Sequence, residues 1–439
     1  MLRTLEELGI LDAWIMPTPG TSDCGLNPAT WRDTTARWRG GARVSRSGSG
    51  QLSGASRRLT LAAILSSSLG VGLIFGFQPP LIAIALSRTG SSALAIGAVT
   101  AASLVAVILC GPLYPRLIGQ LGLKRSVVIG ISTGALVLAF MPAASGAGPW
   151  MCFRFVTGCV LGLSWIGSEI WLNTVSADAE RGTVMGIYGT VFSVGIIGGP
   201  VLLEFTGTEG WWPFALGAVC LIATLLPILM LKETATDAGA RAPLVDFVRA
   251  VRFAPIVMLA AVVAGLVESA DLALLPLYGL HAGMQERAAL FLVTVFMAGN
   301  VVLQMPIGLL ADRFGRRTLL AGCAIASALG PMLLPFCLDA PVWLGLLLFL
   351  WGGTLYAFYS QGIALLGEQF PAAELAAANT VFVMVYCAGG VIGPSLGGFA
   401  MDHWPQAGLL AMLSGAPLLM LVGLAVRAAR ARTAHRSTT

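Results

Sequence analysis

Four ionisable residues stand inside long apolar stretches of this chain: Arg154 and Glu169 in one, Glu268 and Asp271 in another. Burying a charge in the middle of a bilayer costs at least about 2.5 to 3.5 kcal/mol, so such groups are expected to work rather than to fill space. Glu268 and Asp271 are three positions apart, which makes them neighbours on one helix face. Two close carboxylates resist simultaneous ionisation, so the pair is a place to carry one proton. Arg154 adds a permanent positive charge, able to hold an anionic substrate or to act as counter-charge to that pair. Arg154 and Glu169 share a broad face of their helix but are separated by about 22 Å along it, too far to touch. The alternative reading is a structural ion pair inside the bundle.

Around these charges, Gln78, Trp165 and Tyr278 are candidate substrate-binding groups, joined by Asn173, Asn300, Gln304, Tyr356, Tyr359, Gln361 and Tyr386. Many aromatic rings with few fixed charges suit an amphiphilic organic molecule better than a polyanion.

The elements that position these groups follow from composition. The chain has 439 residues, of which 56% are hydrophobic and 11% charged, with a mean hydropathy of +0.84. Soluble domains carry about 25% charged residues. The fold class is therefore an all-α integral membrane protein. Twelve apolar runs are long enough to span a bilayer, at residues 59–87, 93–114, 126–144, 149–175, 183–203, 211–231, 255–280, 288–311, 318–337, 342–366, 376–401 and 408–426.

Basic residues set the orientation. Arg88 and Arg287 are the only cations on odd-numbered connections, whereas 15 lie on the even-numbered ones and the C-terminal segment, leaving aside Arg154 and the eight before Leu59. By the positive-inside rule both termini are cytoplasmic, and the net charge of +5 is a matter of membrane topology, not of nucleic-acid binding. The eight cysteines form no CxxC, and the three histidines lie outside the spans, so neither a metal nor another cofactor is expected.

An internal repeat divides the spans into two sets of six. Leu121-Gly-Leu-Lys-Arg125 echoes Phe314-Gly-Arg-Arg317 with the glycines 193 residues apart, and the Gly199-Pro200 and Gly393-Pro394 pairs are 194 apart. The expected organisation is a polar cytoplasmic N-terminal segment 1–56, a first half 57–231, a linker 232–252, a second half 253–427 and a cytoplasmic C-terminal segment 428–439. A translation start downstream of the polar N-terminal segment stays open.

The connection after the eighth run reads Gly308-Leu-Leu-Ala-Asp-Arg-Phe-Gly-Arg-Arg317. Gly308 lets a helix end approach a neighbour, and Gly315 can take the positive φ of a tight turn. Asp312 can face the positive end of another helix, while Arg313, Arg316 and Arg317 can reach carboxylates or lipid headgroups. This stretch resembles the signature loop of the major facilitator superfamily of secondary transporters. In the first half Gly119 replaces the acid, so the acidic role is expected only at Asp312.

The resemblance covers essentially everything after the N-terminal segment. It implies two pseudo-symmetric six-helix halves around a midplane site, with Glu368 pairing one of the loop arginines when the inner gate is shut. Arg154-Phe-Val-Thr-Gly158 is similar to the Arg-x-x-x-Gly pattern of proton-coupled antiporters, with Thr157 where they carry Gln. Gly389, Gly393, Pro394 and Gly397, with Gly199 and Pro200 in the other half, resemble the family's glycine-proline packing motif.

No nucleotide-binding or hydrolase motif is present, so the expectation is a transporter driven by an ion gradient rather than an enzyme. The leading reading is a proton-coupled exporter of a small organic molecule in a bacterial inner membrane, functional as a monomer. An uptake symporter or uniporter, or a non-transporting sensor or scaffold, are the alternatives.

Overall fold

Hydrocarbon cannot hydrogen-bond a backbone, so a chain this apolar satisfies its N–H and C=O groups within helices. The structure, a computed structural model, describes residues 54–176, 181–231, 251–370 and 372–436. Of the expected organisation, the segment 1–56 lies outside the described residues except for 54–56, the linker 232–252 except for 251 and 252, and the C-terminal segment in its last three positions.

Among the described residues, twelve helical segments follow one another. They are α1 (Gly54–Arg88), α2 (Ala93–Leu121), α3 (Leu123–Ala143), α4 (Ala147–Val175), α5 (Arg181–Thr206), α6 (Trp212–Leu229), α7 (Pro255–His281), α8 in two pieces (Glu286–Val302 and Gln304–Phe314), α9 (Arg316–Cys337), α10 (Pro341–Gln369), α11 (Ala372–His403) and α12 (Gly408–Arg436). Ten are long and apolar enough to cross a membrane alone, α8 is an eleventh when its pieces are joined, and Gly408–Gly423 is the shorter apolar part of the twelfth. They match the twelve apolar runs in order. α1 begins before the expected Leu59, and α12 runs beyond the expected 426 to Arg436.

A proline follows the break in each of two spans. The two pieces of α8 meet at 45°, and Pro306 has no N–H to return to the carbonyl of Val302, where the first piece ends. Pro227 does the same to Ala223 in α6.

Each half is built on one close crossing. α1 packs most extensively on α5, and α7 on α11. A Cβ on Gly76 would lie 1.9 Å from the Ile196 carbonyl oxygen, and one on Gly199 2.3 Å from the Phe77 nitrogen. In the second half a Cβ on Gly265 would meet the Tyr386 carbonyl at 2.0 Å, while those on Gly389 and Gly393 would meet the Val262 and Leu266 carbonyls at 2.1 and 2.0 Å. Backbone lies directly on backbone, as small residues allow in membranes. Gly397 meets side chains instead, those of Leu274 and Met412. Pro200 and Pro394 are carried inside α5 and α11 without ending them.

The halves meet through α2 with α11, α5 with α8, and α1 with α7. α7 is the most buried span, whereas large apolar side chains such as Phe336, Val342 and Trp343 face outward, where lipid would cover them.

Gly76→Ala forces the α1–α5 crossing apart and should destabilise the protein by about 1 to 3 kcal/mol. Gly345→Ala in α10, with open space around it, should be neutral or slightly stabilising. Melting temperatures of the purified variants in detergent check both.

Candidate functional site

Between the halves lies a cavity of about 1050 Å³, and its charged lining residues are Arg154, Glu169 and Glu268. Glu268 is the central residue of α7, thirteen from either end. Its Oε2 accepts a hydrogen bond of 2.9 Å from the Tyr386 hydroxyl on α11. Glu169, on α4, accepts one of 2.9 Å from Trp165 Nε1 a turn away. Each half therefore supplies one carboxylate held by one aromatic donor.

Aromatic rings continue both walls. Trp165 stacks on Phe192 at 5.8 Å and meets Phe75 edge-on at 5.7 Å. Opposite them, Tyr359 contacts Tyr386 at 5.1 Å and Tyr356 at 6.2 Å. Glu169, Glu268 and Tyr359 all line the same cavity, so the two carboxylate units face one shared space.

Arg154 closes one end. Its guanidinium donates to Gln78 Oε1, to the Ser103 hydroxyl at 2.7 Å and to the Thr100 carbonyl at 3.2 Å. These are neutral acceptors, so the sequence expectation of Arg154 as counter-charge to the α7 pair is corrected: its partners lie on α1 and α2. Asp271 is also corrected as a cavity residue. It is fully buried, with neither oxygen hydrogen-bonded, and does not line the space. Three helical positions turn a side chain about 60° away, which moves Asp271 off the wall that Glu268 occupies. Tyr278, Asn173 and Gln361 are likewise outside the lining, whereas Gln78, Trp165, Asn300 and Gln304 belong to it.

The cavity has a direction. Lining residues near Arg154, such as Gln78 and Thr100, are buried, while Gly186, Gly189 and Gly367 at the other end are exposed. These exposed positions sit toward the even-numbered connections, so the space opens there.

The signature loop lies at that open face. Gly315 has φ +84°, as does Gly122 at +83° in the first half, and both let the chain turn sharply between helices. Arg316 Nε pairs with Glu368 at 3.0 Å, and its Nη2 with Asp312 at 3.5 Å. Arg317 lines the recess beside them, and Arg313 lies over the Phe314 ring at 5.5 Å. Three expectations change. The Glu368 pair is made while the cavity is open to its face, and it joins α9 to α10 within one half, so it does not require a shut gate. Asp312 pairs across its own turn instead of facing a helix end. Gly308 has open space where a close neighbour was expected.

The helix-end contact is made by a residue the sequence reading missed. Asp402, at the end of α11, accepts from the backbone N–H groups of Ala93 at 2.7 Å and Leu94 at 2.9 Å, the first two of α2. Ser92 accepts from Ala95, so the start of α2 is satisfied jointly by both halves. At the same face Glu286 accepts from Arg88 and, at 2.5 Å, from Thr208. Thr294 donates to Glu204 at 2.5 Å, and Arg287 lies over the Phe205 ring at 5.9 Å. All of these cross between halves at the odd-numbered connections. The signal was present in the sequence: Arg88 and Arg287 are the two cations on the side that the charge rule leaves bare.

Two six-helix halves, pinned together at one face and parted around a cavity at the other, define a multi-pass membrane transporter. The sequence comparisons give the family. The chain belongs to the Major Facilitator Superfamily, whose family model matches residues 60–292 and 257–439, and this makes it a transporter, not an enzyme. It is 25% identical over 347 residues to the MFS-type transporter YfkF of Bacillus subtilis (strain 168), covering 77% of this chain and 88% of that one. It is 26% identical over 371 residues to the MFS-type transporter YcaD of Escherichia fergusonii, covering 83% and 94%. Crystal structures of the nucleoside transporter NupG and of a D-xylose-proton symporter share the fold at 16% identity. Their TM-scores are 0.67 and 0.66, with coverage of 84% and 83% of this chain and 97% and 96% of theirs.

Asp402→Asn combined with Glu286→Gln should shift the protein toward opening at the odd-connection face. Spin labels at Gly90→Cys and Met284→Cys, in a background without native cysteines, should then report a longer inter-half distance. The exchange Arg316→Glu with Glu368→Arg, an exposed pair worth about 0.2 to 1 kcal/mol, should leave that distance unchanged.

Proposed function

We propose that this protein is a proton-coupled secondary transporter that exports a small organic molecule by alternating access. The observation that carries the reading is Glu268, a carboxylate at the centre of the most buried span. One of its oxygens is held by Tyr386, its side chain faces the cavity, and no cation among the described residues pairs with it. A carboxylate so placed can exchange a proton with whatever the cavity admits, and an ion gradient then supplies the energy without any cofactor.

Both termini lie in the cytoplasm of a bacterial cell by the basic-loop rule, and the chain sits in the inner membrane. The cavity between the halves then opens inward, where an exporter collects its cargo. Glu169 stands toward that mouth and Arg154 at the sealed end. Asp271 is about 4.5 Å nearer the outer face than Glu268 and joins the proton path when the cavity opens outward. A single twelve-helix chain encloses the whole pathway, so the monomer is the working unit.

The test is purified protein in liposomes with an imposed pH gradient and an internal pH dye. Export requires protons to move against the direction of the substrate. Co-movement would instead mean symport, the activity for which the D-xylose-proton symporter of the same fold is named. Glu268→Gln should cut proton-coupled flux by at least about tenfold while the protein stays monodisperse. Asp271→Asn should slow proton movement without weakening substrate binding. Coupling that survives Glu268→Gln overturns the assignment.

A further inference from the structure

Substrate chemistry can be read from how the two carboxylates are held. Glu169 and Glu268 each give one oxygen to an aromatic donor, Trp165 Nε1 and the Tyr386 hydroxyl. Both side chains line the cavity and both are only partly buried, so each carboxylate can be reached from it. Arg154 forms an ion pair with neither: its guanidinium keeps its charge and donates to Gln78, Ser103 and the Thr100 carbonyl. With both carboxylates ionised, the charged lining sums to one net negative charge. The walls around that charge are ring faces and edges: Phe75, Trp165 and Phe192 on one side, Tyr356, Tyr359 and Tyr386 on the other.

We propose that the cavity takes an organic cation, a protonated amine or quaternary onium group on an apolar body, held between Glu169 and Glu268 with its body against the aromatic walls. Ring quadrupoles attract a cation at their faces, and a low-dielectric cavity strengthens the attraction. A neutral sugar would leave the carboxylate oxygens without a charge partner, and an anion would be repelled by them. The inference rests on the transport reading and adds to it: cation and proton compete for the same carboxylates, so loading one expels the other. The other ionisable groups facing this space are Arg154, Tyr188, Tyr356, Tyr359, Tyr386 and Cys387, with Asp271 one turn from Glu268 and closed off. As free side chains, only the carboxylates among them titrate below neutral pH.

The experiment is equilibrium binding of radiolabelled tetraphenylphosphonium to the purified full-length chain in detergent, with benzyltrimethylammonium and 3-phenylpropionate as competitors. The expected result is saturable binding that benzyltrimethylammonium displaces, 3-phenylpropionate does not, and a fall from pH 8 to pH 5 weakens. Glu169→Gln and Glu268→Gln should each weaken binding by at least about tenfold. Glu268→Asp should retain it, which separates loss of charge from loss of fold, and Glu209→Gln at the far face should change nothing. Binding that ignores both glutamine variants, displacement by the anion, or no saturable binding of either cation overturns the proposal. Cation binding without proton movement in liposomes would keep this site and remove the coupling. Proton-coupled flux of a neutral or anionic solute, with no cation bound, would do the reverse.

Discussion

A backbone in hydrocarbon has no solvent to bond with, and the architecture follows from that one constraint. It makes every span a helix, and it makes helix ends and helix breaks the places where specificity is written. The start of α2 shows how the ends are used: two of its N–H groups are satisfied by Asp402 from the other half. A covalently local necessity thereby becomes a tie between domains. The breaks in α6 and α8 arise where Pro227 and Pro306 withdraw a donor.

Because lipid is as apolar as leucine, burying hydrophobic surface does little to hold such helices together, and close packing must. Gly76 on α1 and Gly265 on α7 bring backbones into direct contact with α5 and α11. Those crossings make each half rigid. The join between halves is of another kind. It includes hydrogen bonds and ion pairs at one face, through Asp402, Glu286 and Glu204, and such contacts can part without breaking a core. Rigid halves with a separable seam are what alternating access requires.

The parts of this design that the bilayer dictates were legible in the sequence. The spans announce themselves by length, the two halves by recurring glycines and prolines, and Arg154, Glu169 and Glu268 by the cost of burying charge. Finer angular placement was not legible. Spacing by three groups Asp271 with Glu268 on one broad face, yet a 60° turn divides the cavity wall from the helix interface. Tyr278 shares the span of Glu268, but it stands about 15 Å along α7 from it, toward the sealed end. The ties at the odd-connection face have no period or motif, because they join residues from connections distant in sequence. Only the misplacement of Arg88 and Arg287 against the charge rule hinted at them.

The seam also differs in its two materials. Arg88 and Glu286 keep 35% and 28% of their side-chain surface exposed, within reach of mobile ions that screen over about 8 to 10 Å. Asp402 is itself exposed, but it meets the start of α2 through backbone N–H groups at 2.7 and 2.9 Å, a contact with dipoles that acts over a shorter range than a pair of full charges. Salt on that side of the membrane loosens the first more than the second. The ionic strength of the medium bathing that face therefore acts first on the Arg88–Glu286 tie, and the seam is held tighter in dilute surroundings than in brine.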